Sequence, residues 1–192
     1  MRVLVGCEFS QIVTRAFRAR GHEAYSCDIL PTEGDSTIHY QRSILSHELW
    51  NTEWDLFIAH PECTFLTSSG ARWMGIEWRR EAQMSSLHFV KALWAVPAKR
   101  IALENPIGRL STLWQKPTQI IQPWMFGHGE VKATCLWLRN LPKLRPTLVV
   151  NEREGRVWKE PPSEHRWKNR SRTYQGIADA MADQWGRGDL LA

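Results

Sequence analysis

Short apolar runs alternate with amphipathic stretches through the first half of the chain. Arg2 to Cys7 is rich in valine and leucine and predicts a strand, and Ile12 to Arg20 has the spacing of a helix. Glu23 to Ile29 predicts a second strand, which ends at Asp28. The start of the chain therefore predicts a β-α-β unit.

The same alternation continues toward the middle of the chain. Leu45 to Trp50 predicts a short helix, and Trp54 to Ala59 predicts a buried strand that stops at His60-Pro61, because proline cannot extend a central ladder. Glu77 to Val96 is the clearest helix, and Arg100 to Leu103 is the strand after it. The helix has apolar side chains at helical spacing: Met84, Leu87, Val90 and Leu93. We expect Glu104-Asn105-Pro106 to end the later strand as His60-Pro61 ends the earlier one.

Prolines cut the remainder of the chain into shorter pieces. Strands are predicted at Ala133 to Leu138 and at Thr147 to Val150, and a final helix at Gly176 to Trp185. Strands that alternate with helices predict an α/β fold, with a doubly wound, mostly parallel, Rossmann-like sheet and helices on both faces. Neither a repeat nor a linker divides the sequence, so residues 1–192 are expected to form a single domain.

Polar segments follow three of the predicted strands. They are Glu8 to Gln11, His60 to Thr64 and Glu104 to Pro106. Ligands of parallel sheets bind at the carboxyl ends of the strands, so these segments predict a site at one edge of the sheet.

Charge and cysteine content narrow the picture. A formal net charge of +5 and a pI near 9.2 favour an anionic partner such as nucleic acid. The four cysteines lie far apart and form no Cys-x-x-Cys pair, which favours reduced thiols over a metal site or a disulfide framework. The chain begins directly with a strand, and no stretch reaches the roughly 20 apolar residues of a membrane span. We therefore expect a cytoplasmic protein with no membrane contact.

Tryptophan is frequent, with eleven residues, and several lie among arginine, lysine or glutamine: Trp73, Trp78, Trp114, Trp124, Trp158 and Trp167. Such interleaving can supply stacking surfaces for bases. Amphipathic rings that complete a small core are an equally good account of any one of them.

Cys63 is the candidate nucleophile. It follows a strand-ending proline, and a thiolate there could attack an electrophilic ring carbon if a cation or a helix end lowers its pKa. The alternative is an inert apolar filler, which most free cysteines are. Its predicted place at the functional edge of the sheet makes the two interpretations about equally strong.

Glu104 is the candidate acid. It ends the apolar strand, where burial would raise its pKa so that it carries a proton near neutral pH. A glutamate at a strand end can instead cap a neighbouring loop. The adjacent amide of Asn105 and a proline that fixes the exit direction favour a positioned acid.

Asp28 ends the second strand of the β-α-β unit, where an acidic group typically holds the two hydroxyls of a ribose. Only Gly6 is present where a dinucleotide or P-loop site needs several glycines. A cofactor that carries ribose and adenine but no phosphate fits this segment better.

The ordered set Phe9-Ser10, Asp28, Pro61-x-Cys63 and Glu104-Asn105-Pro106 resembles the motif series of the S-adenosylmethionine-dependent cytosine-5 DNA methyltransferases. Four segments look more closely like short methyltransferase-like proteins of bacteriophages and prophages: Val5 to Ser10, Trp54 to Thr64, Gln119 to Trp137 and Arg170 to Trp185. The likeness covers nearly the whole chain. Each motif is short, and the specificity lies in their order and spacing.

The resemblance implies a role for each motif. Phe9 and Ser10 would line the S-adenosylmethionine pocket, and Asp28 would take its ribose. Cys63 would add to C6 of a cytosine flipped out of DNA, while Glu104 would contact the exocyclic amine and N3. C5 would then take the methyl group, and a base would remove the C5 proton to release the cysteine.

The resemblance also assigns residues around this centre. Lys132 corresponds to a cationic residue near the target base and joins Cys63 and Glu104 in the catalytic set. The cofactor-binding set also includes Ser43, Pro61, Tyr174 and Gln175, and the substrate-binding set comprises Thr64, Asn105, Pro106, Arg170 and Arg172. The last two belong to a run of alternating basic residues from Arg166 to Arg172, which predicts one side of an extended segment facing phosphates.

Three positions depart from the family pattern. Gln11 stands where glycine is usual, Ser43 where an acid would contact adenine, and Glu62 where a proline precedes the nucleophile. A carboxylate beside Cys63 would raise the pKa of the thiol. Nothing between Leu138 and Arg170 is long enough for a separate target-recognition domain, so low sequence specificity, or specificity from a partner, is expected.

Three other functions stay open from the sequence. The chain could be an amino-methyltransferase that grips an exocyclic amine with the loop from His60 to Cys63. It could be a catalytically silent nucleic-acid-binding module, or an enzyme that methylates a free nucleotide. Replacement of Cys63 by serine separates the first from the covalent route, and calorimetry with the cofactor identifies the second.

Overall fold

The predicted alternation is present in the computed structural model, which describes residues 1–68, 75–164 and 166–187, without the side chains of 157 and 158. The strands are β1 (Arg2–Gly6), β2 (Glu23–Asp28), β3 (His39–Gln41), β4 (Trp54–Ala59), β5 (Ala98–Pro106), β6 (Gln119–Ile121) and β7 (Thr134–Arg139). The helices are α1 (Ile12–Arg18), α2 (His47–Trp50), α3 (Glu77–Trp94), α4 (Leu110–Leu113), α5 (Arg156–Lys159), α6 (Arg166–Ser171) and α7 (Gln175–Trp185).

All seven strands form one sheet, in the order β3-β2-β1-β4-β5-β7-β6. The first five strands in this order are parallel to one another, whereas β7 is antiparallel to both β5 and β6. The order of the first five is that of nucleotide-binding Rossmann sheets. The predicted α/β class with a mostly parallel, Rossmann-like sheet is confirmed.

Helices cover both faces of this sheet. Alternate side chains of a strand point to opposite faces, so Val3 and Val5 lie in a core with α1 and α7, and Leu4 lies in a second core with α2, α3 and α4. Burial on both faces explains why the central strands are almost continuously apolar. Of the helices described, none has the length and apolar character that crossing a membrane requires.

The strand β5 is longer than predicted. Its last three residues were expected to leave the sheet, but the strand runs to Pro106. Pairing with β4 stops at Leu103, whereas Glu104, Asn105 and Pro106 pair with β7 on the other side. The prediction was wrong because the partner strand comes from a later part of the chain, which the local pattern does not reveal.

Other predictions fail for similar reasons. The strands β3 and β6 were not predicted, since three residues are too few to display alternation. The predicted strand at Thr147 to Val150 is absent among the described residues, where Leu148 makes only an isolated bridge to Phe126. The basic run that begins at Arg166 is not extended but forms α6.

The buried face of α3 differs from the predicted one at one position. Met84 is exposed, and Gln83 is buried in its place. The amide of Gln83 donates a hydrogen bond of 2.9 Å to the carbonyl oxygen of Phe65, two residues after Cys63. A polar side chain is buried here because it fixes the loop that follows β4, and hydrophobic periodicity cannot anticipate this.

The side chain of Gln11 holds the turn from which α1 begins. Its backbone has a φ of 57°, a left-handed conformation that favours glycine. Its fully buried side chain donates to Ser26 Oγ and to the carbonyl oxygen of Asp35, and accepts from the Asp35 amide, at 2.7–3.0 Å. A Cβ at Gly34 would overlap this side chain. These bonds offset the strained backbone.

We predict that Gln11→Ala and Gln11→Gly both destabilise the fold, by about 3 kcal/mol for the lost buried hydrogen bonds. The alanine variant should be the less stable of the two by about 1 kcal/mol, because only alanine retains the left-handed strain. Urea unfolding of both variants measures the difference. An alanine variant at least as stable as the glycine variant would contradict this account.

Candidate active site

The loop after β4 is anchored to both neighbouring strands. The His60 amide donates 3.1 Å to the carbonyl oxygen of Gly6 and so extends the ladder with β1. On the other side, the side-chain amide of Asn105 donates 2.8 Å to the carbonyl oxygen of Pro61. Asn105 is buried, and its amide nitrogen therefore fixes the loop. This placement differs from its predicted contact with substrate.

Cys63 lies on a tight turn of that loop. Its carbonyl oxygen accepts hydrogen bonds from the amides of Leu66 and Thr67 at 2.9 and 3.0 Å, and its side chain is half-buried. Burial raises the pKa of the Cys63 thiol, and the carboxylates of Glu104 and Glu62 raise it further, whereas the charge of Lys132 lowers it. The expected effect of Glu62 is confirmed.

Glu104 meets His60 across the tips of β4 and β5. Its Oε2 lies 3.1 Å from Nδ1 of His60, and both side chains are largely buried, with 17% and 8% of their surfaces exposed. Burial raises the pKa of Glu104, but the hydrogen bond and charge of His60, together with the charge of Lys132, outweigh it and leave the pKa lowered. The prediction of a raised pKa was wrong, because the partner His60 lies 44 residues away on another strand end and a local pattern does not reveal it.

Lys132 completes the centre from the segment before β7. Its charge acts on both Cys63 and Glu104. Its Nζ donates to the carbonyl oxygens of Arg170 and Arg172 at 2.8 and 3.3 Å. The predicted catalytic residues therefore act on one another at one edge of the sheet, and Lys132 also holds the segment before α7 against that edge.

The predicted cofactor residues of the first two strands lie at the same edge. Phe9 follows β1, is 7% exposed and contacts Trp167 of α6 at 5.7 Å between ring centroids. Ser10, next to it, is half-buried. Asp28 ends β2, and its Oδ1 accepts a 3.0 Å hydrogen bond from the Leu30 amide. Burial raises the pKa of Asp28 in spite of that bond.

Ionic contacts hold α6 and the residues after it against the loop that follows β2. Glu33, in the loop after β2, pairs with Lys168 at 3.7 Å and with Arg172 at 2.6 Å. The Arg172 guanidinium is therefore engaged by a carboxylate, whereas it was predicted to bind substrate. The sequence did not single out Glu33, because its partners lie more than a hundred residues away.

The remaining predicted residues make local contacts. Ser43 is exposed and its Oγ accepts from the Leu45 amide at 3.3 Å. Thr64 donates to Glu62 at 2.6 Å, and Gln175 donates to Asp179 at 3.1 Å. Pro106 pairs with Thr134 at the end of β5, and Arg170 is exposed. The ring of Tyr174 lies 5.8 Å from Lys132 Nζ and 5.1 Å from the ring of His128.

The tryptophans divide between core and surface. Trp114 stacks on Trp137 inside the protein, whereas Trp78 and Trp167 are half exposed. Arg153 lies 3.8 Å over the ring of Trp124. Trp73 and the side chain of Trp158 fall outside the described residues.

Sequence reasoning missed Glu8 and the role of His60. Glu8 is buried and caps α1, since its carboxylate accepts from the Val13 amide, the Thr14 amide and the Thr14 hydroxyl at 2.6–3.2 Å. Burial raises its pKa, and the charge of His60 opposes that shift. The charge of His60 therefore acts on two carboxyls, Glu8 and Glu104. The sequence feature that could have pointed to Glu8 and His60 is their position, because each follows the end of a predicted strand.

In the ranges that the structure describes, His, Cys, Asp and Glu side chains form no group of three able to hold a metal ion. No family model matches the chain, and no curated protein matches it either. Its chemistry is therefore inferred from the residues of this site.

We predict that Lys132→Met slows the alkylation of Cys63 by iodoacetamide about threefold or more near pH 8. Loss of the nearby positive charge raises the thiol pKa further, so the reactive thiolate fraction falls. Mass spectrometry separates Cys63 from the other thiols, among which burial raises the pKa of Cys27 to about 12 and that of Cys135 to about 11. The exposed Lys143→Met is the control, and an unchanged rate at Cys63 in Lys132→Met would rule out the coupling.

Proposed function

We propose that this chain is an S-adenosylmethionine-dependent methyltransferase that acts on C5 of cytosine in DNA through a covalent adduct with Cys63. The observation that carries the proposal is the convergence of Cys63, Glu104 and Lys132 at the carboxyl edge of the parallel strands. A nucleophile, an acid partner and a cation are the groups that addition to an electron-poor ring requires.

The cofactor edge supports the same proposal. The strand order is that of sheets that bind nucleotides at the carboxyl ends of their strands, and Asp28 ends β2 at the place where a ribose is usually held. Phe9 offers an aromatic ring beside it, and the loop before α1 has no glycine-rich phosphate grip. Phe9, Ser10 and Asp28 would hold S-adenosylmethionine, which when bound supplies an electrophilic methyl group.

The protein groups have complementary tasks in the proposed addition. The Cys63 sulfur gives an electron pair to C6, and the C5–C6 double bond moves its electrons toward C5 and N3. Glu104 would supply the proton that N3 takes up. Lys132 favours the thiolate that burial and two carboxylates disfavour. When the C5 proton is later removed, the C6–S bond breaks and the thiolate is regenerated.

DNA is the proposed partner on chemical grounds. The net charge of +5 favours a polyanion, and the half-exposed Trp78 and Trp167 are available for stacking. Extraction of a base from the duplex costs a few kcal/mol, which single-stranded or mismatched DNA avoids in part. In the described part of the chain between β7 and α6, the one regular element is the four-residue α5, so low sequence specificity is proposed.

We predict that DNA containing 5-fluorocytosine forms a covalent adduct with the wild-type protein in the presence of S-adenosylmethionine. Fluorine at C5 cannot leave as a proton does, so the C6–S bond persists. The adduct should be absent in Cys63→Ser and present in the matched control Cys27→Ser, whose thiol donates to the Arg42 carbonyl oxygen as a serine can. Denaturing gels and peptide mass spectrometry detect it. An adduct in Cys63→Ser, or none in the wild type, contradicts the covalent route.

The raised pKa of Cys63 favours one other function, a silent nucleic-acid-binding module, because a thiol protonated at neutral pH is a poor nucleophile. Calorimetry with S-adenosylmethionine distinguishes the two functions. Heat of binding supports the methyltransferase, and no heat at about millimolar cofactor supports the silent module. If Cys63→Ser binds cofactor and still methylates DNA, the chain is an amino-methyltransferase.

A further inference from the structure

His60 is held in a position that its structural neighbours do not fully account for. Its backbone extends the β4–β1 ladder, and its Nδ1 contacts Glu104 at 3.1 Å. Its Nε2 is buried and has no hydrogen-bond partner among the described residues. Buried polar atoms without a partner are rare and call for an explanation.

The contact with His60 decides where a proton can reside. Glu104 has a lowered pKa and is therefore ionised near neutral pH. The proposed addition nevertheless requires a proton for N3 of cytosine. The imidazole of His60, a side chain that can take up and give a proton, lies within hydrogen-bond distance of this carboxylate.

We propose that His60 is a positioning residue that stores the proton destined for N3 and passes it to the base through Glu104. This inference rests on the proposed cytosine-5 function. The Nδ1–H of the imidazolium is given to one carboxylate oxygen of Glu104, and Glu104 gives a proton to N3 as the thiolate adds to C6. Neutral His60, ionised Glu104 and a protonated N3 result, and elimination of Cys63 returns the proton by the reverse route.

Charged groups from several elements face this pair. They are Glu8 from the loop after β1, Lys132 from the segment before β7 and Cys63 from the loop of His60 itself, and the charge of Glu62 acts in turn on Cys63. Cys63 must be ionised while His60 is protonated, so the two requirements change in opposite directions with pH. As pH rises, the gain in thiolate is cancelled by the loss of the imidazolium proton. The wild-type rate should therefore reach a plateau.

The test uses DNA with tritium at C5 of cytosine and no cofactor. After Cys63 adds to C6, C5 takes up a proton from water, and removal of the tritium by a base as Cys63 leaves releases it without any methyl transfer. The variant is His60→Asn, whose amide nitrogen takes the place of Nδ1 and donates to Glu104 without carrying a mobile proton. The control is His88→Asn, on the exposed side of α3. Rates are measured from about pH 6 to about pH 9, on both sides of the usual histidine pKa.

We predict that the wild type exceeds His60→Asn roughly 100-fold at the acid end, and that this ratio falls about tenfold per pH unit once the imidazolium is lost. The ionisation of Cys63 affects both proteins equally, so its contribution to the pH dependence cancels in the ratio of the two rates. A purely structural role for His60 gives a ratio that does not change with pH, and that result overturns the proposal. His88→Asn should match the wild type throughout.

If His60→Asn does not fold, the pH dependence of the wild-type rate of tritium release tests the proposal instead. A plateau supports the stored proton, and a rate that climbs about tenfold per pH unit across the whole range overturns it. If the wild type releases no tritium at any pH, the proposed function fails instead. Carbon-13 NMR of the Glu104 carboxyl then tests its coupling to His60 without an activity assay. If His60 supplies the proton, the titration of Glu104 moves to higher pH in a folded His60→Asn or His60→Gln variant. A titration of Glu104 that does not move contradicts the coupling.

Discussion

The antiparallel pairing of β5 with β7 is the constraint on which the site depends. Pairing with β4 ends at Leu103, and without a second partner the backbone of Glu104 would leave the sheet there. The ladder with β7 instead keeps the next three residues extended. Glu104 therefore projects beyond the tip of β4, opposite His60, and Asn105 is aligned to hold the loop of Cys63 at Pro61.

Electrostatics at this edge are a balance of opposed charges. Burial and two carboxylates disfavour the Cys63 thiolate, and a single lysine favours it. The same lysine and His60 keep Glu104 ionised against the effect of burial. Lys132 is itself fixed by two carbonyl oxygens of the segment before α7, so the position of that late segment influences the ionisation of groups in the middle of the chain.

The sequence was sufficient for the central architecture. The strands β1, β2 and β4 and the helices α1, α3 and α7 lie within a few residues of their predicted positions, because each carries a complete hydrophobic period or a buried apolar run. The features it did not reveal depend on distant partners: the extension of β5, the buried Gln83, the His60–Glu104 contact and the Glu33 ion pairs. The order of the motifs still located the edge of the sheet at which they meet.

The contact between Gln11 and Gly34 has a consequence for how the sequence can diversify. The side chain of Gln11 occupies the space that any Cβ at position 34 would need. A larger residue at 34 must therefore displace the Gln11 amide and break its hydrogen bonds to Asp35, unless position 11 has first become smaller. The substitutions that these two positions accept are therefore coupled, although twenty-three residues separate them in sequence.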